Sequence, residues 1–130
     1  MAAGPIKVLL ADDDVLFLES IQALIDRQPE LSVVATAKNG LEALELTDAL
    51  HPDAVVVDLH MPLLDGVSVL ARLRHDHPHL CLIVLTGDPD PALHRAATDA
   101  GADGVLEKHE MARALVDRLV ARSGNGEGRT

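Results

Sequence analysis

Five short apolar runs alternate with five stretches of helical periodicity, and this alternation leaves the chain few architectures. The runs cover residues 6–11, 31–35, 54–57, 80–85 and 104–106, are rich in Val, Ile and Leu, and end at turn or acidic residues. Their hydrophobicity is continuous rather than alternating, which marks strands covered on both faces, as in a parallel sheet. The second and fifth runs are the weakest and suit sheet edges. Phe17, Leu18, Ile21, Leu24 and Ile25 form one helical stripe ending before Pro29, and Ala43, Leu46 and Leu50 form another, stopped at His51-Pro52. Val67, Leu70, Ala71 and Leu73 mark a third, opened by Asp65-Gly66. A fourth spans Pro91–Ala100 with Gly101 as its stop, and Met111, Leu115 and Leu119 mark a fifth. Right-handed crossovers between parallel strands force helices onto both faces of the sheet. The expected fold is therefore α/β, a doubly wound five-stranded parallel sheet with five helices.

At 130 residues, 48 % of them hydrophobic, the chain has apolar material for one core. The expected domain covers residues 1–122, and the polar, Gly-rich residues 123–130 read as a flexible C-terminal tail or linker. Eleven Lys+Arg against 21 Asp+Glu give a net charge of −10, which repels a phosphate backbone, so no direct nucleic-acid partner is expected. Excess carboxylates suit a bound cation instead. One cysteine, Cys81, excludes an internal disulfide and is expected in the core. Phe17 is the only aromatic residue. The segment Met1-Ala-Ala-Gly-Pro5 lacks the pattern of a signal peptide, and the apolar runs fall far short of the roughly 20 residues that span a bilayer. A cytoplasmic setting without a membrane partner is the expectation.

In an open parallel sheet, ligands bind at the carboxyl ends of the strands. The first run ends in Asp12-Asp13-Asp14, the third in Asp58, the fourth in Thr86, and the fifth near Lys108; the second ends in uncharged Thr36-Ala37. Each residue also has an ordinary explanation: adjacent aspartates cap helices, a threonine caps a loop, a lysine solvates a surface. Asp58 is the least ordinary, because a carboxylate closing a buried strand needs a partner or a shifted pKa. Complementary charges on one edge favour a shared purpose. Carboxylates within about 5 Å repel one another unless something positive intervenes. A hard divalent cation with oxygen ligands, Mg2+ above all, supplies that charge. A lysine and a hydroxyl nearby would complete a cradle for a phosphoryl group, and a carboxylate can be the nucleophile that accepts it.

Four stretches resemble the receiver domain of bacterial two-component response regulators: Val8-Leu-Leu-Ala-Asp-Asp13, Asp58-Leu-His-Met-Pro-Leu-Leu-Asp-Gly66, Ile83-Val-Leu-Thr86 and Gly101-Ala-Asp-Gly-Val-Leu-Glu-Lys108. The resemblance runs from about residue 6 to 120 and implies a flavodoxin-like strand order 2-1-3-4-5. It implies that Asp58 is the phosphoacceptor, taking a phosphoryl group from a sensor histidine kinase or phosphotransfer protein. Asp13, Asp58 and the backbone carbonyl of His60 would hold Mg2+, with Asp12 acting through water; Thr86 and Lys108 would contact the phosphoryl oxygens. The face of the fourth helix, fifth strand and fifth helix would signal to an output domain or downstream protein, and homodimerisation on phosphorylation is a further expectation. Such a receiver assists its own phosphorylation and dephosphorylation but turns over no separate substrate.

Several positions depart from the family pattern. Val105 stands at the switch position where many receivers carry an aromatic residue, so the switch is expected to be weaker or to run through the fourth helix. Lys108 is followed by His109 rather than proline, so a trans bond is expected there. His60 and Asp88 occupy positions that tune dephosphorylation. The cluster His75-Asp-His77-Pro-His79 reads as a solvated loop rather than a metal site, and Asp14 as the cap of the first helix. Two alternatives stand beside the receiver. One is a receiver-shaped interaction module that works without phosphorylation. The other is a haloacid-dehalogenase-type phosphatase using Asp12 and Asp14, for which the only acidic residues after Lys108 in the folded part are Glu110 and Asp117.

Overall fold

The computed structural model describes residues 4–62, 65–108, 114 and 117–121. Strands β1 (Ile6–Ala11), β2 (Leu31–Ala37), β3 (Ala54–Val57), β4 (Cys81–Thr86) and β5 (Gly104–Glu107) form one parallel sheet in the order β2-β1-β3-β4-β5. Helices α1 (Val15–Asp26), α2 (Gly40–Leu50), α3 (Gly66–Asp76) and α4 (Pro91–Ala100) connect them, and residues 117–121 (α5) are helical after β5. The expected order holds, with the two weakest runs at the edges. Three strands outrun their hydrophobicity. β2 reaches Ala37 rather than residue 35, β4 runs one residue later than expected and includes Thr86, and β5 extends to Glu107. The β-branched Thr36 and Thr86 fit a pleated ladder as well as valine does, so the pairing continues past the apolar run.

β3, β4 and β1 from Val8 onward are buried on both faces, whereas the edge strands β2 and β5 are largely half-exposed, since each has a neighbour on one side only. One cluster gathers Leu9, Ala11, Val55, Val57, Leu82 and Val84 with residues of α2, α3 and α4. The other gathers Val8, Leu10, Val56, Ile83 and Leu85 with Leu18, Ile21 and Ile25 of α1 and Leu119 of α5. Successive strand residues thus feed opposite cores, as the period of two requires. Cys81 lies in the second core, as expected. Among the described residues, no helix is long and apolar enough to cross a membrane.

Each described helix from α1 to α4 opens on a side chain that accepts from its first turn: Asp14 from Phe17 N, Asn39 from Glu42 N, Asp65 from Val67 N and Asp90 from Ala92 N. Asp14 therefore caps α1, as its position predicts. At the other end, Gly101 closes α4 at φ 123°, a conformation open to glycine at little cost. The expected trans bond between Lys108 and His109, most of the fifth helix and residues 122–130 lie outside the described residues.

Gly66 sets how closely α3 approaches the sheet edge. A Cβ on it would lie 2.5 Å from both Cα and O of Leu59, the residue after Asp58. The Gly66→Ala variant is expected to unfold at lower urea, with a loss of about 1–3 kcal/mol typical of overpacking. An unchanged midpoint in a urea titration would show that the backbone at Leu59 yields freely.

Candidate phosphoryl-accepting site

The parallel ladder brings distant residues to one edge. β1 and β3 pair Ala11 with Val57, and Asp58 N donates to Ala11 O at 2.9 Å while Asp12 N donates to Ala37 O at 3.0 Å. Asp12 and Asp58 therefore leave adjacent strands side by side. One carboxylate oxygen each from Asp12, Asp13 and Asp58 lie within 4.8 Å of one another. Asp12 and Asp58 are buried and Asp13 is exposed. Lys108, directly after β5, reaches over to them: Nζ lies 2.6 Å from Asp12 Oδ2 and 3.3 Å from Asp58 Oδ2. Its ammonium also sits 4.3 Å from the centre of the Phe17 ring, a cation–π contact that holds it over the pocket.

The charges are only partly compensated. Burial raises the Asp58 pKa above the ordinary carboxylate value, and the charge of Asp12 raises it further. The Lys108 charge and the His60 backbone N–H, at 3.3 Å from Asp58 Oδ1, pull it back without cancelling the rise. Burial opposes the Lys108 ammonium, but its contacts with Asp12 and Asp58 together outweigh that and raise its pKa. Asp12 Oδ1 accepts from Asp14 N at 2.9 Å. Asp12 Oδ2 is buried and meets the Lys108 ammonium at 2.6 Å. Three carboxylates answered by a single ammonium leave excess negative charge, and their hard oxygen donors fit a small divalent cation; among the described residues no other such group occurs.

Thr86 is fully buried, and its Oγ1 accepts from Asp88 N at 3.0 Å. Asp88 Oδ2 meets His60 Nε2 at 3.0 Å, so the two rim positions singled out in the sequence touch each other. Asp88 has a lowered pKa, held down first by the Asp90 backbone N–H and then by His60. Val105 pairs with Val84 and packs, half-buried, against the core. The histidine cluster is not a free loop throughout. His75 belongs to α3 and pairs with Asp76, while His77 binds Asp48 at 2.9 Å and stacks edge-on with His51. Neighbouring carboxylates thus hold His75 and His77 singly, and no histidine joins a metal-binding group among the described residues. Asp14 is committed to its cap, Asp117 is exposed on α5, and Glu110 lies outside the described residues.

Two contributors escape a reading of the sequence. Phe17 counts as one apolar residue in a helical stripe until the fold sets its ring under Lys108. His94 of α4 carries no motif at all, yet its Nε2 lies 2.6 Å from Asp88 O.

Comparison with known proteins bears on the whole chain. Residues 8–120 match the response regulator receiver domain family. The transcriptional regulatory protein LnrK of Bacillus subtilis is 34 % identical over 121 residues, 93 % of this chain and 55 % of LnrK. A protein-glutamate methylesterase/protein-glutamine glutaminase of Anaeromyxobacter dehalogenans is 41 % identical over 104 residues, 80 % of this chain and 30 % of that protein. The chain thus spans about half or less of these relatives. The signal receiver domain of NarL from Mycobacterium tuberculosis superposes with a TM-score of 0.87 at 28 % identity, covering 93 % of this chain and 98 % of that one.

A raised Asp58 pKa means that its ionised form weakens the fold. The stability contributed by protonated Asp58 is present at low pH and is lost as pH rises through its folded-state pKa. In EDTA at neutral pH, Asp58→Asn is expected to unfold later than the parent, by on the order of 0.5–2 kcal/mol. Thermal denaturation across pH checks this: the advantage should shrink toward acid pH, and an Asn variant less stable at neutral pH would contradict it.

Proposed function

Because the chain belongs to the response regulator receiver domain family, we propose that Asp58 is the phosphoacceptor through which it receives a signal from a sensor histidine kinase or phosphotransfer protein in the cytoplasm. The observation that carries this reading is the triad of Asp12, Asp13 and Asp58 within 4.8 Å, with Lys108 touching two of its members. An oxygen of ionised Asp58 attacks phosphorus in line with the N–P bond of a phosphohistidine. The O–P bond forms as the N–P bond breaks, and the imidazole nitrogen keeps the electron pair and takes a proton from solvent. Lys108 neutralises charge on the phosphoryl oxygens, and the Thr86 hydroxyl donates to one of them. Asp13, Asp58 and the His60 carbonyl, with Asp12 through water, are the groups that would hold Mg2+, whose charge offsets the carboxylates and the incoming phosphoryl group. His60 and Asp88, joined across the rim, stand where a hydrolytic water would approach and so tune the lifetime of the aspartyl phosphate.

Phosphorylation replaces one carboxylate charge with a dianionic group. That change biases the face made by α4, β5 and α5 between two arrangements, to the extent that the phosphoryl group prefers one of them. An output domain or downstream protein, or a second copy of the chain, reads that face. The chemistry is the chain's own phosphorylation and hydrolysis rather than turnover of a separate substrate.

Incubation with Mg2+ and acetyl phosphate, followed by intact-mass measurement, is expected to show one added phosphoryl group that is absent from Asp58→Asn. Lys108→Ala should slow the gain on the order of 100-fold, the scale of removing a preorganised charge from the reacting oxygens. No gain in the parent would leave a receiver-shaped interaction module that signals without phosphate.

A further inference from the structure

Asp88 is a junction. Its backbone N–H donates to Thr86 Oγ1 at 3.0 Å, its carbonyl lies 2.6 Å from His94 Nε2, and its carboxylate spans from His60 Nε2 to Asp90 N. Asp90 in turn caps α4 and receives His94 N at its carbonyl. A carbonyl can only accept, so Nε2 of His94 carries the proton in that contact. The buried Thr86 hydroxyl is thus joined to α4 by hydrogen bonds on both sides of a single residue, across a connection only four residues long between β4 and α4. The alternative route across the sheet is apolar: Val105 packs, half-buried, against the core and its side chain offers no polar atom to Thr86.

We propose that His94 is a positioning residue for Thr86, and that this histidine carries changes at the pocket into α4. The proposal rests on Asp58 as phosphoacceptor. By holding the Asp88 carbonyl, His94 fixes the plane of the loop whose amide orients the Thr86 hydroxyl. When a phosphoryl oxygen draws that hydroxyl toward Asp58, the Asp88 amide follows it, and the strain falls on the His94 contact at the first turns of α4. His60 supports the same junction from the opposite rim, but through an exposed side-chain contact of the kind that contributes little alone. His94 makes the shorter contact and sits on a regular helix.

The test compares the parent chain with His94→Leu, which keeps bulk and removes the donor, and His94→Gln, whose amide restores one. Phosphorylation from acetyl phosphate with Mg2+ is followed by intact mass, thermal denaturation controls for folding, and the amide signals of Asp88 and α4 are recorded before and after. The Leu variant should fold normally, phosphorylate about fivefold more slowly or worse, the scale of one lost hydrogen bond, and show a weaker α4 response; the Gln variant should recover most of both. A folded Leu variant with the parent's rate and α4 response overturns the proposal, as does a Gln variant as impaired as Leu. Absence of any mass gain in the parent is a separate failure, that of Asp58 as acceptor, and takes the proposal with it.

Discussion

The structure is organised around a repulsion that it does not relieve. Parallel strands all end on one side, and in this chain the ends of β1 and β3 deliver Asp12, Asp13 and Asp58 into one pocket. Water could screen these charges on an open surface, but two of the three carboxylates are buried. Lys108 answers part of the charge, Phe17 holds Lys108 in place, and backbone amides of His60 and Asp14 answer a little more. Asp58 still keeps a raised pKa, because burial and the charge of Asp12 outweigh these contacts. Local strain of this kind persists where the surrounding fold over-determines it. Here the surroundings are two apolar cores pressed on opposite faces of a sheet in which β3 and β4 are wholly buried. The stability of those cores holds the acidic edge together.

Much of this was legible in the residue order for a simple reason. Strands covered on both faces are apolar where they are buried, so β3, and β1 apart from Lys7 near its exposed start, announce their bounds, and a parallel sheet sends all their following residues to one edge. Asp12, Asp13, Asp58, Thr86 and Lys108 could therefore be gathered before any fold was known. What escaped was geometry without a pattern. Hydrophobicity stops at Thr36 and Thr86, yet the ladder pairs Thr36 with Leu10 and Thr86 with Glu107. The close approach of Gly66 to Leu59, the ring of Phe17 beneath Lys108 and the return of His94 to the Asp88 carbonyl are contacts between segments, and no spacing along the chain encodes them.

Departures from the family pattern acquire a physical meaning in this setting. A valine at position 105 fills core volume but cannot report on the pocket by rotating, whereas the β4–α4 connection is tied at Asp88 to both neighbours of the site. In the proposal made above, coupling between pocket and surface follows that short polar path instead of an aromatic side chain. At the far end of the sheet, by contrast, His75 pairs with Asp76 and His77 with Asp48.

Calorimetric titration of the metal-free chain with magnesium chloride tests the central claim most directly, because it asks whether a cation relieves the crowded carboxylates. The account expects uptake of one ion per chain, accompanied by proton release wherever Asp58 is still protonated in the metal-free chain, with both signals lost in Asp58→Asn. A chain that takes up no magnesium, or takes it up equally well without the Asp58 carboxylate, would contradict it.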